Sequence, residues 1–187
     1  MAVSAALDAR RLLEALAASS VRYVLTGSIA AAAWAGETSD PPGDLDIVPE
    51  ISADNLNSLG ALLTRCGARP VHRPDWKRTL SPEECARWKP EPATAEQLDH
   101  QLETPWGLLD VVPLVSGEYV ALARRAVPFT AWGVEIFVAD PEDLIATIRT
   151  DTQEKRRRRE PVLAAQLACA RAGGRPRGLE FLSSANV

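Results

Sequence analysis

Between residues 3 and 19, Val3, Leu7, Leu12, Leu13 and Leu16 recur at helical spacing while Asp8, Arg10, Arg11 and Glu14 fall outside the stripe, which predicts an amphipathic opening helix. The β-branched and aromatic run Val21 to Thr26 then suits a strand. Gly27-Ser28 ends it, and the Ala-rich stretch 29–35 reads as a short helix. Asp40-Pro41-Pro42-Gly43 breaks regular structure before Asp44-Leu45-Asp46-Ile47-Val48 alternates polar and apolar with period two, a second strand. Leu56, Leu59, Leu62 and Leu63 predict a helix over 54–66 with Asp54 as its N-cap. Residues 74–96 are rich in proline and hold Trp76 and Trp88 without sustained periodicity, so they read as a long irregular insertion.

Further on, Leu98, His100 and Leu102 alternate with Asp99, Gln101 and Glu103, and Pro105-Trp106-Gly107 joins this segment to Leu108–Val112, which predicts a hairpin. A second hairpin is expected from 127–132 and 134–138 around Gly133, with a short helical piece at 117–125 between the two. Asp140-Pro141-Glu142-Asp143 combines an N-cap, a first-position proline and two first-turn acids, so a helix should run from 141 to 150. Another is expected over 152–171, ending at Gly173-Gly174.

The chain has 187 residues, 46% hydrophobic and 25% charged, enough to bury a core and too apolar to be disordered throughout. We expect residues 1–150 to form that core and 151–187 a small basic helical segment and tail. The net charge of -4 excludes a polycationic nucleic-acid coat, but the charge is uneven. Residues 149–187 carry nine Lys or Arg against four acids, net +5, leaving twelve basic and twenty-one acidic residues in 1–148, net -9. Cys66, Cys85 and Cys169 make neither a disulfide framework nor a C-x-x-C zinc site, which fits a reducing compartment. The apolar run Ile29–Ala35 is far short of a membrane span, and Asp8, Arg10 and Arg11 do not fit a signal peptide. A cytoplasmic protein with no membrane association is expected.

Three features bear on chemistry: Gly27-Ser28 at a strand-to-helix turn, Asp44-x-Asp46 on the next strand, and Asp110 within the apolar segment Leu108–Val112. Residues two apart on a strand face the same side, so Asp44 and Asp46 project together. Neighbouring carboxylates repel unless a cation lies between them, and Mg²⁺ prefers oxygen ligands. Asp110, flanked by Leu and Val, is costly to bury uncompensated, so it too asks for a metal. Gly27 permits a sharp turn and close backbone approach, while Ser28 and the following amides offer the positive end of a helix to phosphate. Together these pieces describe two-metal phosphoryl chemistry, with ions about 3.5 to 4 Å apart. The plain alternative is that Asp44 caps a turn and Asp110 faces solvent on an edge strand.

In this order the motifs resemble those of the polymerase-beta-like nucleotidyltransferases: a Gly-Ser turn, a D-x-D strand and a third acid on a later strand. Trp106-Gly107-Leu108-Leu109-Asp110-Val111 and Glu142-Asp143-Leu144-Ile145-Ala146 extend the likeness to compact bacterial members, the AbiE-type and MenT-type toxins and the antibiotic nucleotidyltransferases, over residues 21–165. The resemblance implies an α/β (α+β) nucleotidyltransferase fold, a mixed and mostly antiparallel sheet with helices packed on one face. It implies transfer of an NMP from an NTP such as ATP to a hydroxyl, with release of pyrophosphate. Asp44, Asp46 and Asp110 would be the catalytic and metal residues for two Mg²⁺ ions, with Mn²⁺ an alternative, and Gly27 and Ser28 would hold the phosphates. Many relatives carry a Lys where Arg149 stands; Arg keeps the charge without being a point-charge substitute, and Lys155 is the nearest alternative.

By the same resemblance, and by the +5 segment, the acceptor is RNA, a tRNA 3′ end, and a cognate antitoxin is an expected partner. An aminoglycoside or lincosamide acceptor suits the -9 portion instead. A non-catalytic regulatory or binding partner is the third reading, against which the presence of all three acids argues. Lys155–Arg159 reads as a solvated helix face or a phosphate contact, with Lys155 and Arg159 sharing one side. Trp76, Lys77 and Arg78 read as base stacking with a phosphate contact or as a small satellite core. His72 and His100, expected on strands, lack a Ser or Cys partner signature and read as structural.

Overall fold

One interior strand of four residues, three of them apolar, is buried along its whole length. In the computed structural model, which describes residues 6–35, 42–74, 79–113 and 118–150 and positions 161, 164, 165, 167–169 and 172, β1 (Tyr23–Thr26) is buried at all four residues. It lies between β2 (Asp44–Pro49), antiparallel to it, and β7 (Val134–Val138), parallel to it. A strand covered on both faces and both edges needs predominantly apolar character, which Tyr23, Val24 and Leu25 supply. The other strands are β3 (Arg69–Pro70), β4 (Gln101–Thr104), β5 (Gly107–Val111) and β6 (Val127–Ala131). The sheet runs β3-β4-β5-β2-β1-β7-β6. Only β1 with β7 and β2 with β5 pair parallel, so the sheet is mixed and mostly antiparallel, as expected.

The opening helix, α1 (Ala9–Ala18), starts later than the pattern from residue 3 predicts. Asp8 caps it, its Oδ1 accepting from the Arg11 amide at 3.1 Å. Leu12, Leu13 and Leu16 enter the core. Helix α2 (Gly27–Ala35) has no polar stripe, and Ile29, Ala30, Ala32 and Ala33 are fully buried, since it packs on β1, β2 and α7 (Pro141–Thr150). Trp34 ties it to the end of β7 by donating to the Ala139 carbonyl at 2.8 Å. Helix α3 (Ala53–Cys66) buries Leu56, Leu59, Leu62 and Leu63 as its spacing predicts. Its N-cap is Ser52, not Asp54, which lies in the first turn. The β6–β7 hairpin turns on Trp132 and Gly133, both at positive φ, the geometry that two-residue hairpins favour.

The insertion is less irregular than its composition suggests. It contains α4 (Pro82–Arg87), held by a capping box between Ser81 and Glu84 with Pro82 in the first turn, and α5 (Ala95–Leu98). Leu98 therefore closes a helix, and the strand expected from residue 98 begins at Gln101. His72 and His100 lie beside β3 and β4 rather than on them. Helix α6 (Tyr119–Ala123) and α7 fall where expected. Of the predicted 152–171 helix, the described positions from 161 to 172 are helical. Among the described residues, no helix is long and apolar enough to cross a membrane.

Candidate active site

Sheet register assembles the site. Asp46 on β2 pairs with Thr26 at the end of β1 and with Asp110 on β5, and Asp110 pairs in turn with Gln101 on β4. Directly opposed residues put their side chains on one face, so Thr26, Asp46, Asp110 and Gln101 form a polar row across four strands. Asp44, two residues before Asp46, joins the same face. One carboxylate oxygen each from Asp44, Asp46 and Asp110 lies within 4.8 Å of the others. Asp110 is buried, at 6% exposure, and Asp44 and Asp46 are partly exposed, so the cluster is open on one side. Asp44 thus stands in β2 with its carboxylate in the cluster, and Asp110 is on an interior strand of the sheet.

The Gly27 turn presses against this cluster. Gly27 has φ +67°, and a Cβ built on it would lie 2.0 Å from Asp46 Oδ2. Glycine is required there twice, for the left-handed backbone and for the space the carboxylate occupies. Ser28 follows, exposed, in the first turn of α2, where unpaired helix amides carry partial positive charge.

The donor set fits a hard divalent cation. All three side chains offer oxygen only, the preference of Mg²⁺ and Mn²⁺. Oxygens sharing one Mg²⁺ at about 2.1 Å stand roughly 3 to 4 Å apart, so a spread of 4.8 Å needs only small side-chain rotations.

No protein-family model matches the sequence, and no curated protein matches it. Solved structures do. The solution structure of the antibiotic-resistance factor ANT(2″)-Ia aligns over 88% of this chain and 88% of that one, with TM-score 0.51 and 16% identity. This chain has a nucleotidyltransferase fold. The crystal structure of ANT(2″)-Ia in complex with adenylyl-2″-tobramycin aligns over 88% of this chain and 93% of that one, with TM-score 0.51 and 15% identity. An antigenic nucleotidyltransferase-like protein from Paracoccidioides brasiliensis aligns over 84% of this chain and 72% of that one, at 16% identity and TM-score 0.48.

Within the nucleotidyltransferase fold the remaining expected residues are placed unevenly. Arg149 is exposed in the last turn of α7, the helix packed on α2. Lys155, the rest of the Lys155–Arg159 run, and Trp76, Lys77 and Arg78 lie outside the described residues. His100 is half-buried with its ring edge-on to Trp88 at a centroid distance of 6.0 Å, and burial holds its pKa below the usual imidazole value.

Two residues join the site without having stood out in the sequence. Gln101 Nε2 donates to Asp44 Oδ2 at 3.0 Å, and Arg73 donates to Gln101 Oε1 from Nε at 2.9 Å and also from Nη2. Gln101 belongs to the polar half of an alternating strand, which ordinarily faces water. Here that half faces the acids, and Gln101 is 4% exposed.

Proposed function

We propose that this protein is a divalent-metal-dependent nucleotidyltransferase that moves a nucleoside monophosphate from an NTP to an acceptor hydroxyl. The observation that carries the reading is the convergence of the Asp44, Asp46 and Asp110 carboxylates within 4.8 Å, beside the Gly27 turn that opens α2. Asp44 and Asp46 are the residues that would hold two Mg²⁺ ions, with Asp110 completing the acceptor side. When bound, such ions neutralise phosphate charge and lower the pKa of a coordinated hydroxyl.

The acceptor oxygen forms a bond to the α-phosphorus, the α–β phosphoanhydride bond breaks, and pyrophosphate leaves with the electron pair. Asp110 receives the proton that the hydroxyl gives up. The amides of Gly27 and Ser28 and the Ser28 hydroxyl hold the triphosphate at the start of α2. Arg149 or Lys155 offsets the charge growing on pyrophosphate.

The acceptor we propose first is RNA, a tRNA 3′ end, on the likeness to toxin-type members and the net +5 of residues 149–187. That role would bring a cognate antitoxin as partner. The second reading is a cationic small molecule such as an aminoglycoside, favoured by the net -9 of residues 1–148 and by the adenylyl-2″-tobramycin bound in one structural neighbour. The test incubates the protein with Mg²⁺ and each labelled NTP, offering tRNA, total RNA, an aminoglycoside and lincosamide panel, and the protein itself, with Asp46→Ala as control. Label on tRNA supports the first reading and label on a drug alone the second. Absence of transfer together with absence of any thermal shift from Mg²⁺ and NTP refutes both.

A further inference from the structure

We infer that Gln101 is a positioning residue that aims the Asp44 carboxylate at the metal site, and that Arg73 sets the orientation of Gln101. The inference rests on the metal-site reading above. A guanidinium can only donate and an ionised carboxylate can only accept, so an amide lying between them has one workable orientation. Its oxygen must face Arg73 and its NH₂ must face Asp44, as the contacts have it. Both ends of the amide are thereby fixed, and it cannot flip without placing an NH₂ against a guanidinium and an oxygen against a carboxylate.

The placement is unusual for a glutamine. Gln101 is among the few buried polar side chains described, and its burial is compensated by these contacts at both ends. The contact crosses the sheet from β4 to β2, passing the intervening β5 that carries Asp110. One oxygen of Asp44 is thus committed to Gln101, which limits rotation of the carboxylate and leaves the other oxygen to meet a cation. Arg73 follows β3 at the sheet edge and is only partly buried. It acts through Gln101, so its influence on Asp44 should vanish once the amide is gone.

The test measures Mn²⁺ binding by loss of the free-ion electron paramagnetic resonance signal, without nucleotide or turnover. Wild type is compared with Gln101→Met, which keeps length and loses the amide, with Arg73→Met, with the double variant, and with Asp44→Asn. Thermal melts accompany each. Gln101→Met should weaken Mn²⁺ binding about ten- to a hundred-fold, the range seen for groups that orient metal ligands. Arg73→Met should weaken it several-fold, and the double variant should be no weaker than Gln101→Met alone. A merely structural role would move the melting temperature without this non-additivity. Wild-type Mn²⁺ affinity in Gln101→Met, or additive losses in the double variant, overturns the positioning role. Should Gln101→Met not fold, unchanged binding in Arg73→Met does the same. If wild type binds Mn²⁺ no better than Asp44→Asn, the metal-site reading itself falls. If Asp44→Asn alone is impaired, that reading stands and only the positioning role fails.

Discussion

Gly27 and Gly67 share a φ of +67°, yet their surroundings differ completely, and that contrast isolates the pressure of the turn on Asp46. A Cβ on Gly67 would meet nothing within 4 Å. One on Gly27 would lie 2.0 Å from Asp46 Oδ2, 2.4 Å from Cγ and 2.8 Å from Cβ. The first two contacts yield to side-chain rotation; the third does not, because no χ angle moves Cβ. The backbone at the β1–α2 turn or in β2 must give way, and Thr26, the residue before Gly27, is paired in register with Asp46.

Both alanine variants incur the left-handed backbone cost of about 1 to 2 kcal/mol. Only Gly27→Ala must also open a gap of about 1 Å beside a proposed metal ligand, and such a displacement costs on the order of a hundred-fold in rate. Gly67→Ala should therefore lower the melting temperature by about 2 to 8 °C and leave Mn²⁺ binding and pyrophosphate release at wild-type levels. Gly27→Ala should match or exceed that thermal loss and also lose pyrophosphate release by about a hundred-fold. Melting curves, Mn²⁺ titration and pyrophosphate release, all run well below the transition, decide the matter. Equal Mn²⁺ affinity and equal rates in the two variants would refute the claim that the turn and the Asp46 carboxylate form one tightly fitted unit.

Asp110→Asn should raise the melting temperature in EDTA by relieving repulsion among three carboxylates, and should lose the Mg²⁺ stabilisation, which in wild type reaches about 2.7 kcal/mol at a hundred-fold excess over Kd; parallel melts with and without Mg²⁺ check it. Asn55, 1% exposed, accepts from the Arg22 amide and donates to the carbonyls of Arg22 and Glu50. Asn55→Leu should cost about 2 to 4 kcal/mol in urea denaturation by taking the side-chain partner from the Arg22 amide and the Glu50 carbonyl, the Arg22 carbonyl keeping the Glu50 amide at 3.0 Å, and a loss under about 1 kcal/mol would mean that water replaces the side chain. Burial lowers the His100 pKa below its usual 6.5, so the unfolded chain binds the extra proton first. The His100 contribution is complete above pH 6.5 and is lost as pH falls from there through the lowered folded value; urea titrations should show a shallower pH slope for His100→Gln across that window.

How far the site could be read from the chain depends on what each pattern encodes. Period-two alternation tells which residues share a face, so Asp44 and Asp46 were legible as a pair, and the glycine that a strand-to-helix turn needs was legible at residue 27. Alternation does not say which strand lies next to which. That Asp110 stands opposite Asp46 depends on a parallel pairing of β2 with β5, set by long-range packing rather than by any local signal. The resemblance to known nucleotidyltransferases supplied that link. Local chemistry was also present and easily passed over: Ser81-Pro82-Glu83-Glu84 spells a capping box inside what composition marks as an irregular stretch. By contrast β3, two residues long and half proline, and α5, four residues long, are too short to show a period.

Gln101 lies on the polar half of β4 yet is buried. The rule that the polar half of a strand faces water holds when that face is solvated. A sheet that carries chemistry turns polar side chains inward on purpose, because the charged groups there need partners of fixed geometry. Gln101 and Glu103 look alike in the sequence, one position either side of Leu102, yet Gln101 is buried against Asp44 and Arg73 while Glu103 remains partly exposed. What separates them is their opposite number across the ladder: Asp110 for Gln101, Leu108 for Glu103. A polar residue on an edge-side strand is thus read correctly only once its cross-strand partner is known, and when that partner is a buried acid, the polar half of the strand belongs to the site.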